Sequence, residues 1–365
     1  MENQIKNQIE KNIEKTILQK CKEHHLRKIH PVLYNSVIEY TLRRGKRIRP
    51  LLFVLSYGGH TPPGKKISSS IYHVATAIEF LHNFMLIHDD IIDKSHLRRN
   101  KPTMHKLLEK TVRTAQKEEL GQNLAIIVGD IIYAFAIEAF LDVKEDPRRK
   151  ENALRHFLKT TTTTALGEFI DTLQGFDHLN KIAEKDVFLN YSLKTARYTF
   201  SSPLVIGAML AGARAPEIQK ITRLSEQIGQ AFQIQDDVIG IFDSQKKIGK
   251  SILSDVEESK KTLLVCHAYH TMKKAEKKKF LAVFNKSTKD FQDLLKLRQQ
   301  FIDHGSLAYC ARQIEARFNK TLLMMRNVKI RAPYKDIMIA HFQDWFHPTQ
   351  RISRKYNIAL DWDIA

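Results

Sequence analysis

Apolar residues recur along this chain at intervals of three and four, the repeat of one face of an α-helix. Val74, Ile78, Leu81 and Met85 form one such stripe, and Leu124, Ile127, Ile131 and Phe135 another. Alternating patterns long enough for strands are scarce. Breakers stand between the periodic segments: Gly58-Gly59 with Pro62-Pro63, Asp146-Pro147, Ala215-Pro216 and Gly249. The pattern predicts helices of roughly 15 to 25 residues joined by short turns. There is no internal repeat, low-complexity tract or Gly/Ser linker. The expected fold is therefore all-α, a single large helical bundle domain.

The most apolar stretch, Leu124 to Leu141, is long enough to cross a bilayer, but Asp130 and Glu138 interrupt it. It reads as a buried helix, and no transmembrane segment is expected. The first 29 residues are polar and lysine-rich and carry no secretory signal pattern. Across the 365 residues, 43% are hydrophobic and 27% charged, which excludes a disordered chain. The net charge of +19 admits nucleic acid, a membrane surface or an anionic small molecule as partner. Lysine runs such as Lys277-Lys278-Lys279 carry no interleaved aromatics and read as solvated helix faces, so no nucleic-acid partner is expected. Cys21, Cys266 and Cys310 are few and far apart, which fits a reducing compartment and a cytoplasmic protein.

The chemistry concentrates between His88 and His105, in the run HDDIIDKSHLRRNKPTMH. Asp89 and Asp93 are four apart and share a helix face, with Asp90 beside them. Crowded carboxylates repel one another unless a cation sits among them, such as a divalent metal. Arg98 and Arg99 follow, and a guanidinium fork suits diphosphate oxygens. A solvated helix end is the alternative. The acids, however, are embedded in Phe84, Met85, Leu86, Ile87, Ile91 and Ile92, and carboxylates in apolar surroundings need partners.

A second acidic pair, Asp236-Asp237, is wedged into the helical pattern FQIQDDVIGIFD. Two acid clusters in one helical domain can face each other across a cavity. Magnesium binds through one or two carboxylates plus substrate phosphate oxygens. A diphosphate held between two carboxylate walls by magnesium fits both clusters.

These residues resemble the trans-isoprenyl diphosphate synthases, the family of farnesyl and geranylgeranyl diphosphate synthases. Asp89 to Asp93 is similar to the family's first aspartate motif, followed by Arg98, Arg99, Lys101, Pro102, Thr103 and His105; Asp236-Asp237 is similar to its second. GKRIRP at Gly45 to Pro50, His82, GEFID at Gly167 to Asp171, KTARYTF at Lys194 to Phe200 and GKSILSDVEESKKT at Gly249 to Thr262 follow the family's order. The likeness spans roughly residues 30–325, leaving 1–29 as an N-terminal helical extension and 326–365 as a C-terminal helical tail without an assigned role.

The resemblance implies a bundle of the isoprenoid synthase type with a central apolar cavity, condensing isopentenyl diphosphate with dimethylallyl, geranyl or farnesyl diphosphate. It implies catalytic roles for Asp89, Asp90, Asp93, Arg98, Lys194 and Asp236. Lys46, Arg49, His82 and Arg99 would hold the diphosphate of isopentenyl diphosphate. Arg98, Lys194, Lys250 and Lys260, helped by Thr195 and Gln233, would hold the allylic diphosphate. Asp89, Asp93 and Asp236 would bind magnesium, three ions per site, two through the first motif. A homodimer is also implied.

Some positions depart from the family pattern. Gly240 stands at a usual third aspartate, Arg44 at a glycine, Glu168 at a glutamine and Ser259 at a glycine. Asp243, two turns beyond Asp236, would share its face if the helix continues. Bulky residues before the first aspartate set product length in the family, which points to Phe84, about 7.5 Å along the helix from Asp89, and Met85. A single aromatic there suits a C20 product, geranylgeranyl diphosphate, over the C15 farnesyl diphosphate. A terpene cyclase would not need Lys46, Arg49 and Arg99, and a non-catalytic partner subunit would not keep the first motif.

Overall fold

The structure is a computed structural model and describes residues 1–243 and 260–360. Gly249, Lys250, Ser259 and Trp362 lie outside the described residues. Among the described residues the only strands are a two-residue pair, and everything else regular is helical. The chain packs as two compact units, Met1–Leu158 with Pro203–Arg214 and Ile330–Tyr334, and Lys159–Ser202 with Ala215–Lys329 and Lys335–Ala365.

The first unit is built on α1 (Glu2–Glu23), α2 (Leu26–Ile29), α3 (Pro31–Thr41), α4 (Ile48–His60), α5 (Ile71–Ile92), α6 (Met104–Glu109) and α7 (Lys117–Leu141). In α1, Ile5, Ile9, Ile13, Ile17 and Cys21 fall every fourth residue and are all buried, against α5 among others. Pro31 opens α3 at its first turn, where its missing N–H costs nothing. The stripe Val74, Ile78 and Leu81 is buried on α5 as its spacing predicts.

Two sequence expectations shift here. Gly58 and Gly59 lie inside α4. A Cβ on Gly58 would meet the Tyr334 ring at 2.4 Å, and one on Gly59 would meet Ile330 Cγ2 at 2.4 Å, so these glycines serve close packing instead of a turn. In α7 the helix forms, but its buried line is Ala125, Val128, Ile132, Phe135 and Ala139, while Ile127 is 53% exposed. The run is apolar nearly all round, so its periodicity cannot choose between adjacent faces. α7 is the one described helix long and apolar enough to cross a membrane. It packs along α5 and α6 on the face that carries Gly121, Ala125 and Gly129.

The chain enters the second unit within α8 (Pro147–Phe176). There follow α9 (Glu184–Asn190), a π-helix over Tyr191–Ser201, α10 (Ser202–Leu210), α11 (Ala215–Phe242), α12 (Leu263–Thr271), α13 (Lys274–Phe284), α14 (Phe291–Asp303), α15 (Ser306–Met325) and α16 (Ala332–Lys355). α11 is the axis of this unit and lies against the π-helix and α15. A Cβ on Gly229 would come within 2.4 Å of Ala196 Cα, so this glycine sets the approach of α11 to the π-helix. One face of α16, in the described part of the C-terminal tail, is core. Phe342 and Phe346 are fully buried, and the Trp345 ring sits among Phe200, Phe232 and Phe342, at 5.8, 6.0 and 5.5 Å. Gln235 of α11 donates to Trp345 O at 2.5 Å and accepts from Thr349 at 2.6 Å.

Candidate active site

In the first unit the polar residues gather at the C-terminal end of α5 and the loops beside it. α5 ends in a left-handed cap: Lys94 has φ +52°, its N–H bonds Ile91 O at 3.2 Å, and Ser95 N–H bonds Asp90 O at 2.9 Å. The chain then turns back in a hairpin, β1 (Leu97–Arg98) against β2 (Lys101–Pro102). Arg99 and Asn100 at its tip both have positive φ, +55° and +60°, the two-residue turn that suits the twist of a hairpin.

That hairpin returns Arg98 onto α5. Its Nε and Nη2 donate to Asp90 Oδ1 at 2.9 and 2.5 Å, and Nη2 reaches Asp89 Oδ2 at 3.3 Å. Asp90 is 0% exposed and also accepts from Tyr40 Oη at 3.4 Å. Asp89 and Asp93 remain partly open on α5's end. Neighbours on a helix point about 100° apart, so one member of the doublet is turned inward while the other stays accessible. The two acids hold the Arg98 proton well above its ordinary affinity in spite of burial.

Around Arg98 stands a second set of cations. Arg49 Nη1 donates to His82 Nε2 at 3.2 Å. Burial, then the charges of Arg49, Arg99 and Arg98, push the His82 pKa well below its usual value, so the ring is neutral and accepts. Arg99 donates to Arg43 O at 3.1 Å and lies over Gly45, where a Cβ would sit 2.8 Å from the guanidinium carbon. Lys46 is exposed beside them. One helical turn below Asp89, the Phe84 ring stacks on Tyr133 of α7 (4.8 Å, 28°) and meets His88 at 4.6 Å. His88 fits because Gly129 has no Cβ, which would lie 2.6 Å from its Nε2. Met85 is half-buried next to Phe84.

The second unit carries the other predicted residues. Gly167 lets α8 come against the π-helix, since a Cβ there would be 2.8 Å from Lys194 N. Lys194 Nζ is bound by Glu168 Oε2 at 2.7 Å and Asp171 Oδ2 at 2.9 Å. Thr195 Oγ1 donates to Gln233 Oε1 at 2.5 Å, and Gln233 Nε2 donates to Asp237 Oδ1 at 2.9 Å. Asp237 also accepts from the buried Tyr191 hydroxyl, whose oxygen takes the N–H of Leu263 at 2.9 Å. Burial, and then Asp237, raise the Tyr191 pKa. Asp236, its neighbour, is exposed. Both aspartate doublets thus divide in the same way.

α11 runs to Phe242 and the Asp243 N–H still bonds Ile239 O at 3.0 Å, so Asp243 stands two turns beyond Asp236 at the end of the helix, with its carboxylate ion-paired to Arg351 of α16. Lys260 is half-buried, and Lys250 lies outside the described residues.

Sequence reasoning did not find Tyr40, Tyr191 or Glu79, a buried α5 carboxylate that accepts from Arg47 Nη1 at 2.5 Å. Each acts across a helix packing, and no spacing along the chain announces such a contact. Glu168 and Asp171 stood inside a quoted motif without a role.

No group of three or more His, Cys, Asp or Glu is arranged to hold a metal among the described residues. The donor set still suits a hard cation. Asp89 and Asp93 are accessible carboxylates one turn apart, and magnesium takes one or two such groups and fills its octahedron with water and phosphate oxygens.

The family model described as Polyprenyl synthetase matches residues 31–301. The short chain isoprenyl diphosphate synthase of Methanocaldococcus jannaschii is 33% identical over 293 residues, 80% of this chain and 83% of that one. The geranylgeranyl diphosphate synthase of Sulfolobus acidocaldarius is 32% identical over 263 residues, 70% and 73% of the two chains. Among solved structures, the geranylgeranyl pyrophosphate synthase of Corynebacterium glutamicum, complexed with isoprenyl diphosphate and magnesium, superposes with a TM-score of 0.83 at 23% identity. The match covers 94% of this chain and 98% of that one.

Proposed function

The chain belongs to the polyprenyl synthetase family and is a trans-prenyltransferase; from there we propose that it joins isopentenyl diphosphate head to tail to dimethylallyl, geranyl or farnesyl diphosphate, ending at geranylgeranyl diphosphate. The observation that carries this reading is the end of α5. Two accessible carboxylates stand there beside Arg98, which is clamped before any substrate arrives.

Asp89 and Asp93 of the first unit, and Asp236 of the second, would hold magnesium, three ions in all and two of them through the first motif. Bound magnesium supplies Lewis acidity toward the diphosphate oxygens. Arg98, Lys194 and Lys260, with Thr195 and Gln233, bind the allylic diphosphate; Lys250 has the same role by its motif. Glu168 and Asp171 hold Lys194 in place beforehand, as Asp90 holds Arg98, so the cationic heads need no reorganisation when charge develops. The allylic C–O bond breaks and its electron pair leaves with the diphosphate. Lys46, Arg49, His82 and Arg99 hold the isopentenyl diphosphate, whose double bond attacks the allylic carbon and forms the new C–C bond. A proton then leaves to restore a double bond, and the released diphosphate accepts it. Apolar surroundings keep water from the cation.

The single aromatic Phe84 and the relatives named geranylgeranyl diphosphate synthases support a C20 product. Exposed Ile126 and Ile127 on α7 support a homodimer. Three free, buried cysteines fit the cytoplasm.

The test supplies isopentenyl and farnesyl diphosphates with magnesium and follows diphosphate release and product length. Geranylgeranyl diphosphate is expected, and chelating the metal abolishes it. Turnover that survives the chelator overturns the magnesium roles, and the absence of any C20 product overturns the C20 assignment.

A further inference from the structure

We propose that Glu79, backed by Arg47 and by Glu10 of the N-terminal helix, is a positioning residue for Arg99, which makes α1 part of the isopentenyl diphosphate site; this rests on the role given to Arg99 above. Glu79 lies on α5 beside the buried Thr76 and Asn83 and is itself 1% exposed. A carboxylate taken so far out of water needs compensating charge. Two guanidinium groups supply it. Arg47 Nη1 donates to Glu79 Oε1 at 2.5 Å, and Arg99 Nη2 lies 3.9 Å from the same oxygen.

Arg47 is itself buried, at 5% exposure, with a left-handed backbone at φ +47° just before α4. It belongs to the GKRIRP run, yet its side chain turns toward the protein. Its Nε and Nη2 bind Glu10 at 2.8 and 3.2 Å, and Nη2 also donates to Arg43 O at 2.9 Å. The Arg43 carbonyl accepts Arg99 Nη1 as well. Arg47, Arg99, Glu79 and Glu10 therefore balance as two cations against two anions around one carbonyl.

The arrangement gives each group a separate task. Glu10 meets the charge of Arg47, so Glu79 does not have to satisfy two guanidinium groups alone. Glu79 then steadies the plane of Arg99 over Gly45. Without the acid, Arg99 would face Arg47 with only the distal Glu10 to offset its charge and would turn away from the site. The isoleucine stripe of α1 carries Glu10 to this place, because burial of Ile5, Ile9, Ile13 and Ile17 fixes the helix rotation.

The test measures steady-state constants for both substrates in the full chain bearing Glu79→Gln, Glu10→Gln and Arg99→Ala, with melting curves for each. Glu79→Gln should raise KM for isopentenyl diphosphate about tenfold, through loss of the close charge that faces Arg99, and leave KM for the allylic substrate unchanged. Glu10→Gln, at a half-exposed residue that tolerates change, should raise the same constant about threefold by the same conversion. Glu79→Gln added to Arg99→Ala should have no further effect, since the acid acts through that arginine. Equal effects on both substrates, full additivity with Arg99→Ala, or unchanged constants in both glutamine variants would overturn the inference while leaving the proposed reaction standing. A wild-type chain that transfers no prenyl group would instead overturn the reading beneath it, and the inference with it.

Discussion

The ring of Phe84 lies on the ring of Tyr133, 4.8 Å between centroids and 28° from parallel, and joins α5 to α7 one turn below Asp89. In the proposed reaction, a prenyl chain growing along α5 from the aspartates would meet a stacked pair instead of a single side chain. Phe84→Ala should therefore lengthen the products past C20, and Tyr133→Phe, which keeps the stack, should leave them alone. Chromatography of products made from farnesyl diphosphate checks both. An unchanged length in Phe84→Ala removes the pair as the floor.

Asp89 and Asp90 are adjacent, yet their substitutions should fail differently. Asp90→Asn leaves Arg98 buried with half its partner gone, a change that typically costs about 3–5 kcal/mol when a buried pair is broken. Its melting temperature should drop sharply. Asp89→Asn should melt near wild type while kcat falls by about 10²–10³, the usual effect of losing a preorganised charge contact. Paired calorimetry and kinetics separate the two.

Acid should weaken the fold through His105. This buried ring has no hydrogen-bond partner at Nδ1, and burial pushes its pKa down to about 4. The unfolded chain takes up that proton near the ordinary value of 6.5, so it binds more protons than the folded one between those limits. Stability should fall as pH drops from 6.5 toward 4, and His105→Gln should flatten that part of the profile in urea titrations. An unaltered slope would assign the acid sensitivity elsewhere.

Gly229→Ala should push α11 off the π-helix, because the new methyl group would stand 2.4 Å from Ala196 Cα. Overpacking of this kind costs roughly 1–3 kcal/mol. A lower urea midpoint at constant slope would report it.

The aspartates, arginines and lysines of the candidate site could be picked out because each lies in a short run with a fixed offset, such as the four residues from Asp89 to Asp93. The all-α class was equally plain from the three-and-four spacing. The partners that hold those residues were not. Tyr40 reaches Asp90 across fifty positions, and Glu10 reaches Arg47 across thirty-seven. Such contacts exist only once helices have packed. The C-terminal helix shows the same limit, since nothing in the sequence near Trp345 tells that Gln235 will bond to its backbone. The buried face of α7 was illegible for another reason. Ile127 and Val128 are equally greasy, and only the neighbours of the helix decide which one is covered.

In the proposed reaction each aspartate doublet would act as a single part, with a fixed end and a working end. Asp90 and Asp237 are tethered to Arg98 and Tyr191, and that tether dials the rotation at which Asp89 and Asp236 are presented. A solitary acid at either place would have to serve as its own mooring, and whatever it grasped would also set it adrift. Transplanting this chemistry into another helix would therefore mean carrying over the pair together with the residue that moors it.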